Sequence, residues 1–295
     1  VSSFVLHVAT LGCIYALLAL GLNFQAGFAG LLNFGFVVFA GIGAYASAIL
    51  SSHGYPAPVG ITIGVVVAMA VGCAMASLGR NLASDYWAIA TLAVAELIRT
   101  VALNEDWLTG GAQGISGVRP LFPTRAGAGS DVAFFALTLA MTVAAYLLYA
   151  RLSQGRFGRA IRLMREEPAL ATSFGYRLVP LKIKATMAGA AVASIGGSLL
   201  AHYMSFVGPD YMAASETFAV WTMVMIGGLG NSRGVVLGAL LVEAIYSTVP
   251  FAKDYLDIGS DIAGAVRLGT IGCALLACLL LRPGGMIPER IRSPR

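Results

Sequence analysis

RLSQGRFGRAIRLMREEPALATSFGYRLVPLKIK, residues Arg151 to Lys184, is the one long polar interval between strongly apolar segments of this 295-residue chain. It carries Arg151, Arg156, Arg159, Arg162, Arg165, Arg177, Lys182 and Lys184 against only Glu166 and Glu167. A short loop this basic, flanked by membrane-length apolar runs, is expected on the cytoplasmic side of a bilayer. The stretch also has the pattern of a folded element. From Gly158 to Glu166 the residues favour a helix, and Arg159, Arg162 and Glu166 recur at three- and four-residue spacing on one face. Pro168 suits the first position of a second short helix, and Gly175 suits a left-handed residue at its end. The stretch therefore reads as a small helical shelf hung between two spans. A plainer reading, in which the charges only set topology, stands beside it.

Working outward, composition places the chain in a membrane. It is 58% hydrophobic and only 11% charged, with mean hydropathy +0.82, whereas soluble domains carry about a quarter charged residues. Its runs are continuous rather than alternating, which excludes an outer-membrane barrel. The net charge of +5 gathers in the central stretch and the last residues, so it reports orientation and not a nucleic-acid partner. Cys13, Cys73, Cys273 and Cys278 all fall in apolar runs and fit small core residues. His7, His53 and His202 have no metal spacing and no nucleophile elbow occurs, so neither a metal, a cofactor nor a catalytic residue is expected. No cleavable leader is visible, and the first span is expected to remain in the protein.

Taken in order, Phe4–Leu22 is long enough to cross as a helix. A second candidate span is Phe34–Leu50. The interval between them, NFQAGFAGLLNF, is glycine-rich and uncharged, and it reads as a broken helix covered by protein. Ala57–Leu78 and Tyr86–Leu103 follow. Within the latter, Glu96 and Arg99 share a helix face, either as a polar contact on a pathway or as an ion pair near the membrane surface. The loop Asn104–Asp131 holds TGGAQGISG, which lacks the lysine and preceding strand of a phosphate-binding loop. Val132–Ala150 leads into the shelf, and Ala185–Phe206 leaves it with the small residues that let helices approach closely. Phe218–Leu229 is too short to cross comfortably and breaks at IGGLGNSRG before resuming at Val235, a discontinuous-helix pattern. Its GLGNSRG loosely repeats the earlier GLLNFG and suggests two related halves. Val235–Val249 contains Glu243, Pro250–Asp261 reads as a loop, and Ile262–Leu281 with Arg267 reads as the last span. Arg282, Arg290, Arg292 and Arg295 place the tail in the cytoplasm. The expected fold is an all-α polytopic membrane protein, a bundle of about nine helices with one or two interrupted, counted from the alternation of loop charge. It divides into an N-terminal half (1–150), a cytoplasmic loop (151–184) and a C-terminal half with its tail (185–295).

DYWAIATLAVAELIRT, TGGAQGI, GRFGRAIRLMREEPALATSFGY, the AHYMSFVGPDYM run and the VMIGGLGNSRGVVLGALLVE run, in this order, resemble the M-type permease subunit of Liv-type branched-chain amino acid ABC importers. The resemblance covers essentially the whole chain. It implies a bacterial inner-membrane subunit that pairs with a related H-type permease, two cytoplasmic ATP-binding subunits and a periplasmic substrate-binding protein, with ATP hydrolysis residing in those partners. It further implies that the stretch from Gly158 through Glu166, Glu167, Ala169 and Ala171 to Gly175 docks on the ATPase; Glu166 and Glu167 are then expected to accept contacts from it while Arg159 and Arg162 orient the shelf. Pro168 stands where the family has an aliphatic residue, so the start of the coupling helix is expected to shift. Related permeases often have a further N-terminal helix, and the start of this chain reads as shortened. For the translocation pathway, Asn33, Glu96, Glu243, Gly227, Gly228 and Gly230 are candidates, against a purely structural packing role. Urea and short-chain amides are the alternative cargo within the family. An ion-coupled secondary transporter and a polytopic membrane enzyme are the competing classes.

Overall fold

The computed structural model describes residues 2–80, 82–122, 128–256, 269, 272–278, 280–282 and 284–289. Five helices among them are long and apolar enough to cross a membrane, and the chain is an all-α polytopic membrane protein. Helix α1 (Ser2–Asn23) continues without a break into one wide π-helical turn, Phe24–Phe28. At about 1.5 Å per residue the pair is roughly 40 Å long. The chain then reverses through an irregular stretch, 29–37, before α2 (Val38–Ser52). Helix α2 therefore starts four residues later than the expected span, and its 15 residues cover only about 22 Å of a hydrocarbon layer that is about 30 Å thick.

The expectation of a broken, protein-covered helix holds, and the hydrogen bonds show how the break survives burial. Irregular backbone away from water must find partners inside the protein. Leu31 N–H donates to Gln25 O at 2.9 Å, Phe34 N–H to Thr91 Oγ1 at 3.1 Å, and Gly35 N–H to Asn33 Oδ1 at 3.0 Å. Asn33 O in turn accepts Trp221 Nε1–H at 3.0 Å. The adjoining π turn and two side chains distant in sequence, Thr91 and Trp221, thus satisfy one buried break.

Helices α3 (Ala57–Leu78) and α4 (Ser84–Asn104) match the next two expected spans, and a single turn, α5 (Asp106–Thr109), follows them. The TGGAQGISG loop then forms a two-residue strand, β1 (Ile115–Ser116), paired antiparallel with β2 (Phe206–Val207). Sequence patterning missed this pairing because two residues are too short to show a period. Helix α6 (Ala128–Gln154) leads to α7 (Arg156–Glu166) and α8 (Pro168–Ser173), and α9 (Leu178–Met204) leaves them. The helices therefore intrude on the basic stretch from both sides, and only residues 155–177 form the hinge. Lys182 and Lys184 lie in the first turns of α9, where long basic side chains can reach back to the polar zone.

Helix α9 is the central post, packed against α1, α2 and α3. Its small residues are the reason. A Cβ on Gly197 would run into the Ala40 carbonyl, and one on Gly43 would run into Ser194, so backbones touch where side chains would otherwise hold them apart. Outward-facing positions carry apolar side chains, such as Val66, Ile89, Leu97 and Leu147 on α3, α4 and α6, each more than half exposed. Such a surface suits lipid or another membrane subunit.

Helix α10 (Ala214–Gly227) ends after 14 residues, the chain turns through 228–231, and α11 (Ser232–Leu256) begins. The interruption expected at IGGLGNSRG is present. The loop expected over Pro250–Asp261 is helical as far as Leu256, where α11 ends. The remainder of that loop, Arg267, and Arg290, Arg292 and Arg295 lie outside the described residues. Of the expected last span, 272–278 and 280–281 are helical.

Candidate functional site

Two clusters deserve description as sites: the face of the bundle built around the basic hinge, and a cavity between the helices. The hinge owes its shape to a strongly amphipathic α7. Gly158, Ala160, Ile161 and Met164 are buried against the bundle, while Arg156 and Arg159 point away from it. Arg159 donates to the carbonyl of Gln154 at 3.1 Å, closing the entry to the hinge. Pro168 occupies the first turn of α8, where its missing N–H costs no helical bond. Ala171 is the one α8 residue buried against the rest. Gly175 has φ +82°, as expected of a helix-ending residue, and its N–H donates to Thr172 O at 2.9 Å. Glu166, Glu167 and Ala169 are exposed. So are three apolar side chains on and after α8, namely Leu170, Phe174 (68%) and Tyr176.

The inner side of the hinge meets both interrupted segments. The Arg162 guanidinium lies over the Phe28 ring at 5.1 Å, a cation–π arrangement with the last residue of the π turn. Arg165 donates to the Gly27 carbonyl in the same turn. That turn is also held to the α10–α11 break, where Gly230 N–H donates to Asn23 Oδ1 at 2.8 Å. A Cβ on Gly27 would collide with Asn23 and the Gly230 backbone, so the two breaks touch through glycine. Gly228, at φ +113°, is pressed against residues 284–287, and Gly227 against Gly234 and Val235 at the start of α11. Arg165, Asn23 and Asn231 are functional-looking residues that sequence reasoning passed over. Asn23 and Asn231 are polar residues at the end of apolar runs, and Arg165 is one of several arginines in the polar stretch, so no local signal set them apart.

A cavity of about 720 Å³ opens between α1, α2, α9, α10 and α11. Its lining is mostly apolar, with Val37, Leu200 and Val220 on its walls and Tyr15, Glu216 and Glu243 among its polar groups. Glu243 is buried and accepts Ser247 Oγ–H at 3.0 Å. Tyr15 donates to Glu216 at 3.2 Å. Among the six pathway candidates, Glu243 alone lines this cavity within the described residues. Asn33 is fully buried and braces the 29–37 reversal, donating to Gln25 Oε1 at 3.0 Å. Glu96 pairs with Arg99 at 2.7 Å with about half its side chain exposed. Gly227, Gly228 and Gly230 belong to the hinge face. The structure therefore does not gather the six candidates into one site.

Against known proteins, the family described as the branched-chain amino acid transport system permease component matches residues 4–275. The chain belongs to this family. Within it the M-type relatives align along nearly the whole chain. The high-affinity branched-chain amino acid transport system permease protein LivM of Escherichia coli K12 is 29% identical over 98% of this chain and 71% of its own length. The probable branched-chain amino acid transport permease protein LivM of Methanocaldococcus jannaschii is 27% identical over 94% of this chain and 91% of its own. The H-type protein LivH of Salmonella typhimurium is 26% identical over 94% and 92%. No solved structure matches the chain. As a permease of this family it is a transport component, consistent with a bundle whose polar residues brace helix breaks and line a cavity.

Proposed function

We propose that the chain is the M-type membrane subunit of an ATP-driven importer that carries leucine, isoleucine and valine across a bacterial inner membrane. It crosses about nine times, with its two halves, 1–150 and 185–295, joined by the basic segment 151–184 on the cytoplasmic side, where the tail also lies. A related H-type permease completes the channel, two ATP-binding subunits drive it, and a periplasmic binding protein delivers the cargo. The observation that carries this reading is the hinge: a short helix pair, ended by Gly175, exposes Glu166, Glu167, Leu170 and Phe174 outward. Its inner residues meanwhile grip the π turn directly, and that turn holds the α10–α11 break. A push on such an element is passed to both interrupted segments, because packed elements shift as units rather than deform. Glu166 and Glu167 accept contacts from the ATPase, Ala169 fits against it, and Arg159, Arg162, buried Ala171 and the Gly175 cap hold the shelf in place.

The cavity is the proposed passage, and its aliphatic walls suit a branched side chain. The relatives, named for branched-chain amino acid transport, favour amino acids over urea or short amides. Reconstitution tests the whole reading. Proteoliposomes holding the chain with its H-type partner, the two ATP-binding subunits and the binding protein should take up leucine only with ATP, and the chain alone should take up none. Leucine movement by the chain alone under an ion gradient would overturn the assignment in favour of an ion-coupled carrier. Uptake of urea without competition by leucine would overturn the cargo.

A further inference from the structure

Residues 284–289 run across the hinge face and join two elements far apart in sequence. Their backbone pairs with the end of α10: Met286 N–H donates to Ile226 O at 2.7 Å, and Ile287 N–H to Gly227 O at 3.2 Å. Asn231, in the break itself, donates its side-chain amide to Pro288 O at 3.2 Å. The next residue, Glu289, turns its carboxylate to α7. Arg165 Nη2 lies 2.9 Å from it, and Arg162 Nε lies 3.7 Å away, close enough for charge attraction but too long for a hydrogen bond. A Cβ on Gly230 would come within 2.7 Å of the same carboxyl group. Glu289 therefore stands where α7, the π turn and the α10–α11 break converge. It is the one acidic residue of RPGGMIPERIRSPR.

We propose that Glu289 is a positioning residue that latches α7 to the α10–α11 break, so that movement of the hinge is transmitted to the interrupted helix. The geometry supports this over simple anchoring of the last residues. Backbone bonds at 286 and 287 to α10, and the Asn231 amide on the Pro288 carbonyl, already fix the segment without any help from Glu289. Among the described residues, the carboxylate's ion pairs both go to α7. With about a fifth of each side chain exposed, the Arg165–Glu289 pair is largely shielded from water, where a charge-assisted contact holds more firmly than on an open surface. Two guanidiniums three residues apart on one helix, facing one carboxylate, also fix the rotation of α7 about its axis.

The inference rests on the reading that the ATP-binding subunits dock on the hinge, and the test separates the two. In the reconstituted complex, Glu289→Gln keeps the shape and removes the charge, and the ATP consumed per leucine moved should rise by about tenfold, the scale of a typical coupling between sites. Glu289→Asp should recover most of the loss. Arg165→Gln should show the same defect, and the double variant should be no worse than either single one. An unchanged ratio in an intact Glu289→Gln complex overturns the proposal. So does release of the ATP-binding subunits by Glu289→Gln, which would place Glu289 in docking rather than transmission. Amide exchange across 156–166 in the permease alone gives a readout that needs no partner. It should quicken in Glu289→Gln, and unchanged exchange there overturns the latch. Failure of the native chain to retain its ATP-binding subunits is a failure of the docking reading, and the exchange measurement still decides whether Glu289 holds α7.

Discussion

Asn33 shows how a single residue can be legible as important while its neighbours in sequence leave a pathway role and a packing role both open. An uncharged polar residue in an apolar run points inward in a membrane protein, and that much was apparent. Its side chain donates to Gln25, accepts from Gly35, and its carbonyl takes the Trp221 indole. Replacing Asn33 by Leu leaves the Gly35 N–H and the Gln25 oxygen unpaired in a buried place, at a cost of about 3 kcal/mol. Thermal unfolding in detergent should show a clear drop in midpoint, and a native-like melt would contradict the bracing role. Gly228 is a second case. Its φ of +113° is one that side chains rarely adopt, and a Cβ would meet the Ile287 carbonyl. Gly228→Ala should destabilise the fold by about 2 kcal/mol or more, read by the same melt, whereas Gly117→Ala, at positive φ with open space around it, should cost less.

At the scale of elements, the hinge was the most legible part. Pro168 and Gly175 mark the ends of α8 through fixed backbone preferences, which need no tertiary context. Its extent was less so, because α6 and α9 continue through arginine and lysine, residues that favour helix and carry no stop signal. The exposed apolar side chains of α8 yield a prediction proper to this scale. Phe174 and Leu170 stand free on the face proposed to meet the ATP-binding subunits, and a large aromatic in such a place usually dominates an interface. Phe174→Ala should weaken retention of those subunits by about tenfold without lowering the melting temperature of the permease. Co-purification with full retention would remove Phe174 from the interface.

For the whole molecule, the expectation at stake is sidedness, since the hinge and the β1–β2 pair lie at opposite ends of α9. With the hinge in the cytoplasm, Ser173→Cys in a chain lacking the native cysteines should react with an impermeant maleimide only after the cells are opened. Leu108→Cys, in α5 a few residues before β1, should react in intact cells. The reverse pattern would invert the molecule and dissolve the case for ATP-driven coupling at the hinge. Continuous apolar runs and clustered arginines are what make such a chain readable as a whole, because lipid tolerates few other arrangements.

By itself the sequence determined the class, the family, the two helix breaks and the capped hinge. Each depends on composition or on neighbours within a few residues, where hydrophobicity and backbone preference act directly. Only the tertiary structure decided what the polar residues do. It placed Asn33 in a brace, left Glu96 in a half-exposed pair, set Glu243 on the cavity and brought Glu289 to Arg162 and Arg165. Those partners lie tens to hundreds of residues apart, and nothing local to any of them specifies which of several buried polar groups it will meet.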